Sequence, residues 1–375
     1  MKINVVTVIN TNNYGTILQT IATKSLLDGF GMQVEFLDFC RKDQTTKAIF
    51  ERRMEMSKNN SGLKRCILKC IIRIEEKQKH KVFRKFIENN VALTKRMYHS
   101  YEEVLSQIPQ ADIYCTGSDQ MWNSGWNQGI EKTFFLDYAP AGKARISFST
   151  SIGKTNWEDK EREQVLPMLQ KYDLITVREE SARQLLNKCG ITAQTVLDPT
   201  LMVNRLFWES IIGKRTHRKP YLLVYKLHEQ HGMVDFDKYV RKVAQEKNLD
   251  IVTIQYNLSP CLKNPKETVF LPTVEKFLAL MYYADYIITD SFHGTAFSIN
   301  FNKQFSVIYP EQYSTRLENI LQLTGLTNRH IDENSIEKRL EEINFDQANK
   351  VLDREREQSI KPFLEFFKVN IGKTV

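Results

Sequence analysis

Residues 287–299 have the sequence IITDSFHGTAFSI, which joins an apolar run, a polar turn and a second apolar segment. The apolar run predicts a buried strand, and the turn that follows it holds Asp290, Ser291 and His293. Gly294-Thr295-Ala296 then begins a predicted helix. This layout places polar side chains at the carboxyl edge of a sheet and backbone N–H groups at a helix start, where α/β proteins bind anions. The alternative is a buried histidine that caps the turn.

The same alternation of apolar runs and polar turns occurs at the N-terminus. Residues 3–9 predict a strand, residues 17–30 a helix and residues 34–39 a second strand, a βαβ unit that favours a parallel sheet. The turn before the helix contains Asn13 and Tyr14, at the position where such a sheet binds a ligand. It lacks the GxGxxG pattern, so nothing there indicates a dinucleotide.

A second polar turn follows the predicted strand 111–116. The side chains of Asp119, Gln120 and Asn123 can hydrogen-bond sugar hydroxyls, and Trp122 can stack on the apolar face of a sugar ring. An aspartate at a strand end is also a common helix N-cap, so a purely structural role for this turn stays open.

Arg178 follows directly on the apolar run 174–177, which predicts another strand. Two interpretations of this arginine are open. It is either paired with Glu179 or Glu180, or aimed at an oxyanion of a substrate, since a guanidinium matches carboxylate and phosphate geometry.

At 375 residues the chain is long for one hydrophobic core, so two domains are expected. The charged segment 200–220 is the candidate boundary, after which the alternation restarts. We predict an N-terminal domain over 1–203, a C-terminal domain over 204–350 that includes a helix over 335–342, and a C-terminal helix over 351–375 that packs across both. The predicted fold is α/β, with two Rossmann-like domains facing a cleft.

The composition is that of a soluble globular protein. No apolar run reaches the ~20 residues that span a bilayer, and the apolar part of the N-terminus is too short for a signal peptide. The six cysteines are scattered without a CxxC pair or nearby histidines. We therefore expect reduced thiols, no metal site and a cytoplasmic location.

The positive charge is concentrated in one segment. Residues 41–96 hold 17 Lys and Arg against 6 Asp and Glu, a net charge of +11, whereas the whole chain carries +8 and the remainder therefore −3. The segment predicts a basic helical insertion with a solvated face. A second interpretation is peripheral docking to an anionic surface, such as the inner face of the plasma membrane or a lipid-linked diphosphate acceptor. We predict no nucleic-acid partner, since such binders spread their charge over a folded face.

Six motifs occur in one order along the chain. They are Asn13-Tyr14-Gly15 with Leu18-Gln19, Gly117-Ser118-Asp119-Gln120 with Trp122-Asn123, Ser149-Thr150-Ser151-Ile152-Gly153, Val177-Arg178-Glu179-Glu180-Ser181, Leu197-Asp198-Pro199-Thr200 and Thr289-Asp290-Ser291-Phe292-His293-Gly294-Thr295. In this order they resemble the polysaccharide pyruvyl transferase family, over residues 3 to about 326.

The resemblance implies a fold similar to GT-B glycosyltransferases and a transfer of pyruvate from phosphoenolpyruvate to two hydroxyls of one sugar. The products are a cyclic ketal and phosphate, the acceptor is a cell-surface glycan or its lipid-linked precursor, and no cofactor is needed. By position, His293 resembles the essential histidine of the family, and Arg178 its donor-binding arginine. Arg316 is a second donor-binding candidate. Several members have an arginine two residues before the histidine, where this chain has Ser291.

The chemistry of the reaction assigns roles to these residues. A histidine suits the general acid, because its unperturbed pKa of ~6.5 lets it carry a proton near neutrality. We therefore expect His293 to be the acid, Arg178 and Arg316 to clamp the anionic donor, and either Asp290 or Asp119 to be the base. Further donor contacts are expected from Ser291, Gly294 and Thr295, and acceptor contacts from Asn13, Tyr14, Gln120, Trp122 and Asn123.

Two other functions stay open. A GT-B-type glycosyltransferase that uses a nucleotide sugar would also hold a diphosphate with cations and helix starts. A non-catalytic glycan-binding protein would keep its ligand affinity without His293.

Overall fold

The structure, a computed structural model, describes residues 1–56, 62–311, 314–335 and 341–371. The chain divides into two compact units. The first unit comprises Met1–Glu76, Phe83–Met202 and Glu355–Val375, and the second comprises Lys77–Val82 and Val203–Arg354.

The first unit is built on a parallel sheet of four strands, in the order β2-β1-β3-β4. Its strands are β1 (Lys2–Val6), β2 (Gln33–Phe36), β3 (Ile113–Thr116) and β4 (Ala144–Ser147). A further parallel pair consists of β5 (Thr176–Val177) and β6 (Gln194–Thr195). All four residues of β3 are buried. Burial on both faces explains why such strands are continuous apolar runs in the sequence.

Short and long helices connect and cover these strands. They are α1 (Tyr14–Gly29), α2 (Thr46–Glu55), α3 (Gly62–Lys79), α4 (Lys85–Asn90), α5 (Tyr101–Ser106), α6 (Asp159–Leu169), α7 (Glu180–Lys188) and α8 (Pro199–Met202). Between β1 and β2, α1 completes the predicted βαβ unit.

The predicted basic insertion is helical over most of its described residues, but residues 91–96 are not helical, and residues 57–61 lie outside the described ranges. It contains α2, α3, a π-helical turn over His80–Arg84 and α4. Arg84 attaches it to the sheet, since its guanidinium donates to both carboxylate oxygens of Asp38 at 2.8 Å. Both side chains are largely buried, so this pair has a fixed geometry that a surface pair lacks.

The second unit is built on a parallel sheet of five strands, in the order β11-β10-β7-β8-β9. The strands are β7 (Tyr221–Tyr225), β8 (Asp250–Gln255), β9 (Thr268–Phe270), β10 (Tyr286–Thr289) and β11 (Phe305–Val307). Every residue of β7 and β10 is buried. The short, half-buried β9 was not predicted, because three residues do not produce a recognisable apolar period.

The helices of this unit are α9 (Arg205–Glu209), α10 (Phe236–Lys247), α11 (Leu258–Lys263), α12 (Val274–Tyr283), α13 (Phe292–Asn300) and α14 (Thr315–Thr324). The predicted helix over 335–342 is wrong for residues 335, 341 and 342, which are not helical, and residues 336–340 lie outside the described ranges.

The predicted C-terminal helix is present as α15 (Asp346–Ile371). Its residues up to Arg354 belong to the second unit, and those from Glu355 onward belong to the first. Within the first unit the ring of Phe363 stacks on Phe148 with centroids 4.3 Å apart, and the Ser359 hydroxyl accepts the backbone N–H of Leu197. Among the described residues, no helix is both long and apolar enough to cross a membrane.

Candidate functional site

The strand–turn–helix predicted around His293 is present in the second unit. There β10 ends at Thr289, and α13 begins at Phe292. Its neighbours in the sheet are β7 and β11, which run parallel to it. Because parallel strands end at the same edge, the segments after all three strands leave the sheet together. This edge therefore collects residues that are far apart in the sequence.

Asp290 anchors the segment that follows β7. One carboxylate oxygen accepts the backbone N–H of Leu227 at 2.7 Å. The other accepts the backbone N–H of His228 at 2.8 Å and Nε2–H of His231 at 2.9 Å. The aspartate is 1% exposed. Three donors occupy the two oxygens of this buried carboxylate, so the geometry favours a structural anchor over the predicted role of Asp290 as a base.

His293 lies in the first turn of α13 and is buried. Its ring contacts the ring of Phe292 with centroids 5.2 Å apart. The guanidinium of Arg316, in the first turn of α14, lies 5.9 Å from the centroid of the same Phe292 ring. The two predicted donor residues of this unit are thus brought to one aromatic side chain, although 23 positions separate them in the sequence.

His228 lies close to Asp290, His231 and Arg316, and it was not predicted from the sequence. Burial lowers the pKa of His228 below its usual value, and the charges of His231 and Arg316 lower it further, whereas Asp290 opposes the shift. The sequence signal was the pair of histidines three positions apart after the core strand β7. We call His228, His231, Asp290, His293 and Arg316 the histidine cluster.

The carboxyl edge of the first unit carries a second group, which is mainly acidic. Nη1 of Arg178, directly after β5, donates to the carboxylate of Asp198 at 2.6 Å. The carboxylates of Glu179 and Asp119 lie 3.9 and 4.0 Å from other nitrogens of the same guanidinium. Burial disfavours the charged form of Arg178, but the three carboxylates outweigh burial and raise its pKa. The formal charge of this group is therefore negative.

Asp119 has an unusual backbone at this edge. Its φ of +81° lies in the left-handed region, which non-glycine residues rarely adopt. Its carboxylate accepts the hydroxyl of Thr16 at 2.9 Å and the backbone N–H of Gln120 at 2.8 Å. The side chain is 16% exposed, unlike that of Asp198, which is fully buried. Backbone strain of this kind is concentrated at functional sites.

Residues 13–312 match the family model for polysaccharide pyruvyl transferase. The chain belongs to the polysaccharide pyruvyl transferase family. The match covers more than three quarters of the 375 residues, which confirms the resemblance inferred from the six motifs. No protein of curated function matches the sequence.

Solved structures of similar fold come from other enzymes. A co-structure of S. aureus MnaA with UDP has a TM-score of 0.50 at 10% identity, over 96% of this chain and 90% of that one. UDP-N-acetylglucosamine 2-epimerase from Rickettsia bellii has a TM-score of 0.47 at 11% identity, over 98% and 97%. At these identities the similarity concerns the fold alone. The α/β, GT-B-like fold with two parallel sheets is confirmed, and the cleft stays a prediction.

Ser291 occupies the position where several pyruvyl transferases have an arginine, and here it is the N-cap of α13. Its hydroxyl accepts the backbone N–H of Gly294 at 3.3 Å, and its carbonyl accepts the N–H of Thr295 at 2.9 Å. The Thr295 hydroxyl also donates to that carbonyl. These bonds give Ser291, Gly294 and Thr295 structural roles, and the predicted donor contacts through the N–H groups of Gly294 and Thr295 are not supported.

Gly294 is required by the close approach of α13 to β10. A Cβ at this position would lie 2.3 Å from the Thr289 hydroxyl oxygen, which itself donates to the Tyr225 carbonyl. We expect Gly294→Ala to destabilise the second unit by about 1–3 kcal/mol, the usual cost of overpacking. Gly29→Ala is the control, since nothing lies within 4 Å of its added Cβ. Urea unfolding of both variants checks this, and equal midpoints would contradict it.

The predicted acceptor residues lie mostly inside the first unit. The Trp122 ring is 1% exposed, packs on Phe135 and donates through Nε1 to the Phe134 carbonyl, so it is not available to a sugar. Tyr14 is fully buried against Phe83.

The polar acceptor candidates are also engaged. Asn13 is the N-cap of α1 and accepts the N–H of Gly15 at 2.8 Å. Gln120 and Asn123 are buried and hydrogen-bonded to each other. Of the residues predicted in this turn, Asp119 keeps the most favourable position for a substrate. Within the described part of the chain, no three His, Cys, Asp or Glu side chains converge as ligands of a metal ion.

Proposed function

We propose that this chain transfers the pyruvyl group of phosphoenolpyruvate to two hydroxyls of one sugar, in a cell-surface polysaccharide or its lipid-linked precursor. Family membership supports a transferase acting in polysaccharide synthesis. The observation that carries the specific proposal is the contact of His293 and Arg316 with one phenylalanine ring at a sheet edge. An acid and a cation at such an edge suit an anionic donor whose methylene carbon must be protonated.

The charges favour the second unit as the donor side. Arg178 is surrounded by the carboxylates of Asp198, Asp119 and Glu179. Three negative charges and one positive charge give this group a formal charge of −2. A further anion at that edge would be repelled. We therefore revise the donor role that the resemblance implied for Arg178, and propose that it orders Asp119. The donor clamp is assigned to Arg316, with His228 beside it.

The reaction balances without a redox partner. One proton adds to C3 of phosphoenolpyruvate, which turns the methylene into a methyl group, while the first hydroxyl oxygen bonds to C2 and loses its proton. The C2–O bond to phosphate then breaks with its electron pair on the phosphate. The second hydroxyl oxygen bonds to C2, and its proton leaves with the phosphate. The net change is two hydroxyl protons transferred, one to C3 and one to phosphate.

Each step is assigned to a side chain. His293 donates the proton to C3, and the guanidinium of Arg316 holds the phosphate, since its fork matches phosphate oxygens. Asp119 accepts the hydroxyl proton, because its side chain is partly exposed, whereas that of Asp290 is fully buried. Carboxylates are also suited to orienting sugar hydroxyls, so the acidic edge of the first unit is the proposed acceptor side.

The test is turnover with a defined donor. The protein is incubated with phosphoenolpyruvate and a pool of glycans, and phosphate and the ketal methyl signal are followed by nuclear magnetic resonance. We expect one phosphate per ketal formed. Release of UDP from UDP-glucose, with phosphoenolpyruvate left intact, would contradict the proposal and support a glycosyltransferase. Retention of a glycan with neither product would support a binding protein.

Arg316 provides a specific test of donor binding. We expect Arg316→Gln to raise the KM for phosphoenolpyruvate by roughly 10- to 100-fold, the effect of losing a charge-assisted hydrogen bond. Arg316→Lys should recover part of this loss, because it keeps the charge without the fork. Arg205→Gln removes a half-exposed arginine of α9 and is the control. An unchanged KM in Arg316→Gln would exclude the clamp.

A further inference from the structure

The basic insertion presents an apolar stripe to solvent. Along α3, Leu63, Ile67 and Ile74 are 77%, 51% and 53% exposed, and Cys70 between them is also exposed. Their spacing of four, three and four residues places the four side chains on one face of the helix. We call these four residues the α3 stripe. Monomeric proteins rarely expose contiguous apolar side chains of this kind without a partner.

Contacts on the opposite side of α3 hold the helix so that the α3 stripe faces solvent. Ile72, Glu75 and Glu76 are buried. The guanidinium of Arg53, from α2, donates to the carboxylates of both glutamates. At 100° per residue these buried positions lie on the side of α3 opposite the α3 stripe. Rotating the stripe inward would therefore expose Ile72 and break two ion pairs.

Basic side chains lie around the exposed surface of α3. At 100° per residue, Lys64 and Arg73 flank the α3 stripe on its two sides, whereas Lys69 lies further round the helix and Arg65 lies toward the side of Ile72. Lys64, Arg65, Lys69 and Arg73 are all exposed, and residues 62–74 contain no Asp or Glu. An exposed apolar face with cationic borders and no acidic residue is the pattern of a helix that lies in the interfacial region of a lipid bilayer. Arginine and lysine stems extend past the apolar residues and reach lipid phosphates.

We propose that this face of α3 docks the protein on an anionic lipid surface. The α3 stripe enters the boundary between head groups and acyl chains, and Lys64 and Arg73, which flank it, contact head-group phosphates, while Lys69 and Arg65 add positive charge further from the surface. Charge favours this occupant over a second copy of the chain, because pairing two such faces would bring the flanking charges of Lys64 and Arg73 from both copies together. The apolar stripe disfavours a polyphosphate such as nucleic acid, whose affinity comes from cations alone. The inference stands independently of the proposed reaction.

The test is co-sedimentation with vesicles of phosphatidylcholine that contain an increasing share of phosphatidylglycerol. A charge variant carries Lys64→Gln, Arg65→Gln, Lys69→Gln and Arg73→Gln, and a stripe variant carries Leu63→Ser, Ile67→Ser and Ile74→Ser. The control carries Lys160→Gln, Lys188→Gln, Lys214→Gln and Arg218→Gln, which removes the same charge from exposed sites elsewhere. The changed side chains are exposed, so all variants are expected to fold.

We expect the charge variant to lose about fivefold in binding at low salt for each basic residue near the surface, which gives a total between about 25-fold, from Lys64 and Arg73 alone, and several hundredfold, from all four. Part of the wild-type binding should persist at high salt, because salt does not screen apolar insertion. The stripe variant should lose this salt-resistant part. The control should bind like the wild type. Three results would overturn the proposal: no sedimentation of the wild type with anionic vesicles, equal binding of charge variant and control, or a dimer that only the stripe variant abolishes without any vesicle binding.

Discussion

The His293→Gln variant is expected to release phosphate from phosphoenolpyruvate at least about 100-fold more slowly than the wild type, and up to about 10,000-fold. That range is the usual contribution of one general acid. His293 lies in the first turn of α13, and its imidazole contacts the ring of Phe292. The guanidinium of Arg316 lies over the same Phe292 ring. Glutamine keeps a polar side chain of similar size but carries no transferable proton at neutral pH. The rate of phosphate release at saturating donor, with the ketal as the second readout, measures the loss.

A matched histidine controls for the substitution itself. His217 precedes β7 at the opposite edge of the same sheet and pairs with Asp250 at 3.1 Å. His217→Gln is expected to keep wild-type turnover. If His293→Gln also kept it, or if its rate fell only in proportion to a loss of folded protein, the histidine would have no part in proton transfer.

The Asp290→Ala variant is expected to lose about 3–5 kcal/mol of stability in the second unit. Each buried donor that is left without an acceptor costs about 1–3 kcal/mol, and this change leaves three such donors. Here the stranded groups are the imidazole of His231 and the N–H groups of Leu227 and His228. Urea unfolding measures the loss, and faster hydrogen exchange at the amides of Leu227 and His228 localises it.

Asp250→Ala is the control for this change. It also removes a carboxylate from a histidine, but both side chains are partly exposed, so the cost should stay below about 1 kcal/mol. The anchor interpretation of Asp290 would be wrong if the variant unfolded at the wild-type midpoint. It would also be wrong if turnover fell sharply while stability and amide protection were unchanged, because that result is the signature of a catalytic base.

The strands and the main turn could be predicted because their signals are local. Every residue of β7 and β10 is buried, so each appears in the sequence as an uninterrupted apolar run. The turn between β10 and α13 could also be predicted from the sequence. Ser291 occurs at the N-cap position, and Gly294 occurs where the helix lies close to the strand. The alternation of such units identified the α/β class and the two halves.

Side-chain roles were less predictable, because they depend on partners that are distant in the sequence. The enclosure of Asp290 comes from residues 227–231, about 60 positions earlier. Of the three carboxylates around Arg178, only the adjacent Glu179 could be predicted as a partner, whereas Asp119 and Asp198 come from other turns. For Trp122, a polar turn suggested a surface position, but the ring packs on Phe135 in the core. No local pattern distinguishes an inward from an outward side chain in an irregular segment.

A crystal structure with phosphoenolpyruvate bound tests the central claim most directly, namely that the histidine cluster holds the anionic donor. We expect oxygens of the donor within hydrogen-bonding distance of the Arg316 guanidinium, with its methylene carbon facing the imidazole of His293. Phosphoenolpyruvate bound with no contact to either side chain, for example beside Arg178 alone, would contradict the account.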